Sequence, residues 1–285
     1  MENTFVLFNN QITERENVSI DMEDRGYNFG DGIYEVVYIY GGKPFSMDEH
    51  FRRFEESARK LEMKMPCPIE ELKEKTAELI QANNIHNGIV YIQMTRGASA
   101  RAHLYEKEAA CLITGFARKM DPPAEAQEKG VKTYLTPDIR WLRCDIKSLN
   151  LLGNTMAKRI AADHACGEAL QHRDGICTEG SSSNLFIVKN NEVHTHPANN
   201  LILNGITRQH ILQIAGEQGI TVKEAPFSTE ELQAADEVFI SSTTMEIAPV
   251  ISVEGDVQAT YPIGSVTRAL QKKLKDKIKQ NRVHQ

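Results

Sequence analysis

Midway along the chain stands Arg118-Lys119-Met120-Asp121-Pro122-Pro123-Ala124, and no other segment constrains the fold as strongly. Two consecutive prolines lack the N–H groups that a helix interior or a central strand needs, so neither element can run through them. The chain must break here, which predicts a small domain over residues 1–120 and a larger one over 121–285. At roughly 100–200 residues per domain, a length of 285 suits two such units.

On the N-terminal side, strand and helix patterns alternate. Thr4–Phe8 reads as a strand stopped by Asn9-Asn10, and Gly32–Tyr40 as a longer one that Gly41-Gly42 turns into Lys43-Pro44-Phe45. Ser46-Met47-Asp48-Glu49 has the spacing of a capping box, and Phe51, Phe54, Ala58 and Leu61 then recur at helical intervals. A second helix is predicted over 68–83, burying Ile69, Leu72, Ala77 and Ile80, before apolar strands over 88–95 and 111–116. On the C-terminal side, 131–142 reads as extended and 151–166 as a helix capped by Gly167. Short strands are predicted around Ile176 and over 185–188 and 192–196, with Asn190-Asn191 as a turn. Helices over 207–218 and after Ser228-Thr229-Glu230-Glu231, and strands over 238–240 and 250–253, lead to a last helix beginning near Gly264. The run Lys272-Lys273-Leu274-Lys275-Asp276-Lys277 in that helix reads as a solvated face.

Charge and cysteine usage narrow the function. Lys+Arg 33 against Asp+Glu 39 leaves a net −6, which excludes a chain built to coat nucleic acid. No window nears the roughly 20 apolar residues of a membrane span, and Met1-Glu2-Asn3-Thr4 lacks the basic, apolar start of a signal peptide. Cys67, Cys111, Cys144, Cys166 and Cys177 are scattered without a Cys-x-x-Cys, so neither a disulfide framework nor a zinc site is signalled. These features predict a cytoplasmic protein that acts on small molecules, with no metal and no nucleic-acid or membrane partner.

Several common motifs are incomplete. Gly30-Asp31-Gly32 lacks the third glycine of a dinucleotide fingerprint, and Gly180-Ser181-Ser182-Ser183-Asn184 lacks the last glycine of Gly-x-Ser-x-Gly. His194-Thr195-His196 places two imidazoles on one strand face without a third ligand, and reads as a pair of edge-strand histidines. Four other segments are unusual for a purely structural protein. Lys147 stands in the apolar stretch Trp141–Leu152 with Arg143 four residues before it; it either reaches out to water or is a desolvated amine with nucleophilic character. Thr178-Glu179-Gly180-Ser181-Ser182-Ser183-Asn184 is either a polar turn or a carboxylate and hydroxyls presented to a polar ring. Asn204-Gly205-Ile206-Thr207-Arg208 opens a helix, an ordinary start or a phosphate seat. Ser241-Ser242-Thr243-Thr244 either adds hydroxyls to that phosphate or caps a turn. A lysine, a carboxylate for a ring nitrogen and two phosphate corners together suit pyridoxal phosphate.

The chain resembles the fold-type IV pyridoxal-phosphate enzymes along essentially its whole length. The resemblance runs through Asp24–Glu35, Thr95-Arg96-Gly97, Arg101-Ala102-His103, Ile139–Gly153, Thr178–Asn184, Gly205–Arg208 and Ser242-Thr243-Thr244, and Arg101-Ala102-His103 points to the D-amino acid aminotransferase branch. It implies an α+β fold with a small α/β N-terminal domain, a larger C-terminal domain with a barrel-like sheet, and the cofactor in the cleft between them. It implies that Lys147 carries the cofactor as a Schiff base and that Glu179 holds the pyridine nitrogen. Arg53, the Ile206 and Thr207 backbone and Thr243 would bind the phosphate; resemblance alone selects Arg53 over Arg52. Tyr34, Arg101 and His103 would grip the substrate carboxylate, the last two from the partner of a homodimer. The implied reaction moves an amino group between a D-alanine-like D-amino acid and a 2-oxo acid, 2-oxoglutarate or pyruvate. Aminodeoxychorismate lyase and branched-chain L-amino acid aminotransferase are the alternatives on the same fold. Ala98-Ser99-Ala100 and Met245 depart from the branch's pattern, at a loop and at the side-chain pocket respectively.

Overall fold

The nine residues Gly32–Tyr40 alternate and then run apolar, and they form one of the two nine-residue strands of the N-terminal half. In the computed structural model, which describes residues 4–284, the chain divides into two compact units. Residues 1–122, 146–150 and 281–285 make the first, and 123–145 and 151–280 the second. Met1, Glu2 and Asn3, where a signal peptide would start, lie outside the described residues.

The first unit contains strands β1 (Phe5–Phe8), β2 (Gln11–Glu14), β3 (Gly32–Tyr40), β4 (Lys43–Pro44), β5 (Asn87–Thr95) and β6 (Leu112–Lys119), with helices α1 (Arg25–Phe29), α2 (Met47–Lys60) and α3 (Ile69–Ala82). The strands form one antiparallel sheet in the order β2-β1-β6-β5-β3-β4. Gly41 and Gly42, at φ 63° and 82°, make the tight turn from β3 to β4, a conformation that only glycine adopts without strain. Ile33, Val37, Phe51, Phe54, Leu72 and Leu79 meet in its core.

Two expectations fail here. Ser46 lies in the left-handed region at φ 55° and its side chain caps nothing, because a capping serine needs an extended backbone to reach the N3 amide. Ala77 is exposed, and the buried stripe of α3 is Leu72, Thr76, Leu79 and Ile80 instead. Thr76 tolerates burial because its hydroxyl donates to the Leu72 carbonyl at 2.8 Å.

In the second unit, α4 (Ala124–Lys129), β7 (Val131–Pro137), α5 (Leu152–Asp163), β8 (Glu168–Arg173), β9 (Ile176–Gly180), β10 (Asn184–Lys189) and β11 (Glu192–Thr195) come first. Then follow α6 (Ile206–Glu217), β12 (Val222–Glu224), α7 (Thr229–Gln233), β13 (Glu237–Ser242), β14 (Glu246–Gly255), β15 (Ala259–Thr260) and α8 (Ser265–His284). The sheet order is β12-β11-β10-β13-β14-β7-β8-β9, with β15 on β14. A flat sheet would set β9 and β10 five strand spacings apart, about 24 Å. Yet only Ser181–Ser183 join them, a reach of about 14 Å between the strand ends even when extended. The sheet must therefore curl back on itself, the barrel-like form that the resemblance implies.

Three details correct the sequence expectations. Helix α5 ends two residues before Ala165, which takes φ 56°, while the Cys166 amide donates to the Ala161 carbonyl at 2.9 Å. That Schellman closure is complete before Gly167, whose amide instead pairs with Lys132 O. Strand β11 lies inside the sheet between β10 and β12, so His194 is not on an edge strand, and His196 falls beyond the strand end. Helix α7 does follow Ser228 as predicted, and Ser228 and Glu231 form a capping box at its start.

The start of α8 is held by Glu237 at the head of β13. Its buried carboxylate accepts from Val266 N at 3.1 Å, Thr267 N at 2.8 Å and Thr267 Oγ1 at 2.6 Å. A carboxylate on the first-turn amides of a helix satisfies orphan donors and meets the positive end of the dipole. Glu237→Ala should therefore lower unfolding stability by about 2–3 kcal/mol, read by urea titration; a change within experimental error would assign the α8 anchor elsewhere.

Candidate active site

Residues 146–150 lie along the start of β3. Tyr34 N donates to Lys147 O at 3.0 Å and Leu149 N to Gly32 O at 2.9 Å, while Lys147 N reaches Ser57 Oγ on α2 at 3.3 Å. Ile146 is buried in the core of the first unit. The half-buried Lys147 therefore sits on a fixed backbone, and its Nζ lies 4.2 Å from the centroid of the Tyr34 ring. Arg143, the cation nearest to it in sequence, turns its guanidinium to Asp145 at 3.0 Å instead.

The next residue of β3, Glu35, is buried on the face opposite Tyr34. His50 and Arg53, three apart on α2, share one helix face, and both are buried against that carboxylate. Arg53 donates from Nε to Oε1 at 2.6 Å and from its terminal nitrogen to Oε2 at 2.9 Å; His50 Nδ1 donates to Oε2 at 2.8 Å. Burial pushes the Glu35 carboxyl up, but Arg53 and His50 outweigh it and hold the group far below the usual carboxylate range. Burial also keeps the His50 imidazole below its ordinary value against the pull of Glu35, aided by the charges of Arg53 and Lys147. Arg52 is exposed, so helix geometry selects Arg53 as the interior arginine.

In the second unit, Glu179 near the end of β9 is buried. Arg140 donates to its Oε1 at 2.6 Å, Asn184 Nδ2 to its Oε2 at 2.9 Å, and Leu203 N to both at 3.1 Å. Arg140 is shared: its Nε and terminal nitrogen also meet Asp138 at 2.9 and 2.8 Å. Burial raises the Glu179 carboxyl above its ordinary value, with Asp138 adding to the shift and Arg140 and the Leu203 amide opposing it. Burial likewise pushes the neighbouring Cys144 thiol up to about 11, so it is not a reactive nucleophile.

The three serines after Glu179 converge on a fully buried carboxylate. Ser181 Oγ donates to Glu168, Ser182 Oγ does so at 2.6 Å and Ser183 Oγ at 3.4 Å. Gly205 caps α6, and a Cβ there would collide with the Asn184 side-chain amide unless Asn184 moved. With glycine at the cap, the N-cap residue offers no side chain to the first-turn amides of Ile206 and Thr207. Ser242 Oγ accepts from Met245 N at 3.1 Å within the β13–β14 turn, leaving half-buried Thr243 at its tip. Met245 packs against the core of this unit.

Arg101 and His103 form a separate group. Both are exposed and gather on Phe29, with the Arg101 guanidinium carbon 5.1 Å and the His103 ring 5.8 Å from its centroid. The structure thus joins Tyr34 with Lys147, and within the second unit sets Glu179 against the Asn204-Gly205 side through Asn184 and Leu203. Sequence reasoning missed Glu35, His50, Asp138, Arg140 and Glu168. A glutamate inside an apolar strand was the available signal for Glu35; the others take their roles from distant partners.

The family model for class IV amino-transferases matches residues 32–253, and the chain belongs to that family. It is 45% identical over 269 residues to a D-alanine aminotransferase of Staphylococcus haemolyticus, covering 94% of this chain and 95% of the relative. Among solved structures, Escherichia coli branched-chain amino acid aminotransferase matches with a TM-score of 0.88 at 26% identity, covering 96% of this chain and 94% of that one. A second branched-chain amino acid aminotransferase, solved with pyridoxamine 5'-phosphate, matches at 0.87 and 25% identity, with the same coverage. The cofactor of the family is pyridoxal 5'-phosphate. The residues fit it: a lysine amine suits the aldehyde, a buried carboxylate of raised proton affinity suits a protonated ring nitrogen, and uncapped helix amides suit a phosphate.

Because Glu35 is held below its ordinary 4.5, its pairing stabilises the folded chain above that pH and is lost as pH falls toward the folded-state value. Glu35→Gln should cost about 3–5 kcal/mol at neutral pH by taking the carboxylate charge away from the buried Arg53. Its stability should also fall less steeply than the wild type's below pH 4.5, measured by urea melts across pH. Parallel curves would show that Glu35 is not the titrating group.

Proposed function

We propose that the chain exchanges an amino group between a D-alanine-like D-amino acid and a 2-oxo acid, 2-oxoglutarate or pyruvate. The observation that carries this is the contrast in identity: 45% to a D-alanine aminotransferase, against 25–26% to branched-chain enzymes that share the fold at TM-scores of 0.88 and 0.87. The Arg101-x-His103 element supports the same choice. The protein works in the cytoplasm as a homodimer, with the phosphate arginine and carboxylate-binding residues on domain 1–120 and the main cofactor-binding residues on domain 121–285.

When bound, pyridoxal phosphate supplies an electron sink for the charge left at the substrate Cα. Lys147 would hold the cofactor through its amine, and once the substrate frees it that amine would take up and return the substrate Cα proton, acting first as base and then as acid. Tyr34, 4.2 Å away across its ring face, steadies the amine and lines the carboxylate site. Glu179 keeps the ring nitrogen protonated, which its raised proton affinity favours. Arg53, oriented by Glu35, the Ile206 and Thr207 amides and Thr243 bind the phosphate dianion. Arg101 and His103 hold the α-carboxylate from the partner subunit, where a planar guanidinium can give two parallel hydrogen bonds.

Lys147→Ala should remove both the visible absorbance of cofactor-loaded protein and all turnover. D-Alanine with 2-oxoglutarate should be converted faster than L-leucine with 2-oxoglutarate. Turnover of only the L substrate would reject the D-amino acid assignment in favour of the branched-chain enzymes.

A further inference from the structure

Residues 98–108 carry Arg101 and His103, yet they contain neither helix nor strand and every one of them is exposed. Such a segment holds a shape only through its attachments. Its far end is tied to the segment after α2, where Tyr105 OH donates to Glu62 at 2.7 Å, Lys107 pairs with Glu62 and Lys64 pairs with Glu108 at 3.1 Å, while the stretch that carries Arg101 and His103 is held by the short helix α1 and its neighbours. Arg25 is 4% exposed, and its guanidinium donates to Ala102 O at 2.6 Å and to His103 O at 3.4 Å. Its Nε is fixed by Asp31 at 2.9 Å, and Asp31 also takes Arg96 Nε at 2.8 Å. Arg96 in turn lies 3.9 Å from the centroid of the Tyr105 ring, further along the same loop. At the loop's entry, Arg25 N donates to Gly97 O at 2.9 Å and Ser99 N to Glu23 O at 3.3 Å.

Phe29 stands four residues after Arg25, on the same face of α1. One ring therefore serves three groups: the Arg25 guanidinium at 4.7 Å, that of Arg101 at 5.1 Å, and the edge-on His103 imidazole at 5.8 Å. Helix α1 is itself pinned, because Asp24 Oδ1 caps Gly26 N at 2.8 Å and Asp24 Oδ2 accepts from Thr95 Oγ1 at 2.7 Å. The ring and the Arg25 fork are thus set on rigid backbone, and Arg101 and His103 are set on them.

We propose that Arg25 and Phe29 are positioning residues for substrate-carboxylate recognition: Arg25 fixes the backbone of the Arg101-Ala102-His103 element, and Phe29 orients its two side chains. This rests on the assignment of Arg101 and His103 as the carboxylate grip. A guanidinium forms parallel bonds to a carboxylate only when it is aimed within a narrow angle, and an arginine left free loses rotamer freedom on binding. The ring removes that loss before substrate arrives. Arg25 and Phe29 bind the loop, Asp31 and each other, so their removal should weaken substrate binding and leave the chemical step in place.

The test compares Phe29→Leu, Arg25→Gln, Arg25→Lys and Arg101→Leu in the full cofactor-loaded enzyme. Amide hydrogen exchange over residues 99–107 is followed without substrate, and KM and kcat for D-alanine and the visible cofactor band are measured beside it. Phe29→Leu should raise KM about three- to tenfold with kcat within about twofold and the band unchanged, in line with the size of cation–π contacts. Arg25→Gln should raise KM at least tenfold and speed exchange across 99–107, and Arg25→Lys should restore part of both. Unchanged exchange and KM in Phe29→Leu and Arg25→Gln, with KM raised in Arg101→Leu, would overturn the positioning role alone. An Arg101→Leu enzyme with wild-type KM would overturn the carboxylate assignment, and the exchange data would still decide whether Arg25 orders the loop. Should Arg25→Gln lose the cofactor band through misfolding, Phe29→Leu decides.

Discussion

A carboxylate taken out of water must be neutralised in place, and Glu35 sets that requirement at the centre of the first unit. It meets the requirement with a two-pronged Arg53 and a neutral His50, both supplied by one face of α2. The consequence is directional. Arg53 is an interior arginine with its guanidinium plane fixed, and β3 is tied to α2 at the point where Tyr34 and the Lys147 segment lie along the strand.

Glu179 solves the same problem with the opposite result. Its arginine is divided between two carboxylates, because Arg140 also grips Asp138 through two bonds. Burial then wins, and the carboxyl is pushed above its ordinary value, whereas Glu35, paired with both Arg53 and His50, is pulled far below. The contrast is useful chemically. A carboxylate that is already fully neutralised is a fixed anchor for a neighbouring cation, while one left short of positive charge attracts a proton or a protonated ring nitrogen.

The backbone does not choose the substrate. Branched-chain enzymes share this fold at a TM-score of 0.88, although only 26% of residues are identical. Discrimination must then lie in side chains and loops that such a superposition barely weighs. The segment around Arg101 and His103 is one such loop, ordered by long-range contacts to α1 rather than by any secondary structure of its own.

The sequence by itself determined the elements whose cause is local. Alternation in Gly32–Tyr40, the glycine pair at Gly41-Gly42 and the Ser228–Glu231 box each encode their geometry within a few residues. It also exposed Lys147 and Glu179, because a charge in an apolar stretch or before a run of hydroxyls is conspicuous along the chain. Local spacing failed where backbone conformation intervened, as at Ser46 and Gly167. Tertiary structure alone decided that Glu35 faces His50 and Arg53, that Arg140 is shared between Asp138 and Glu179, and that Ser181–Ser183 turn to Glu168. Apart from the local contact of Arg140 with Asp138, those pairings join residues from 13 to 39 positions apart. Periodicity reports which face of an element is buried, but the partner on the far side of the interface is set by how the elements pack.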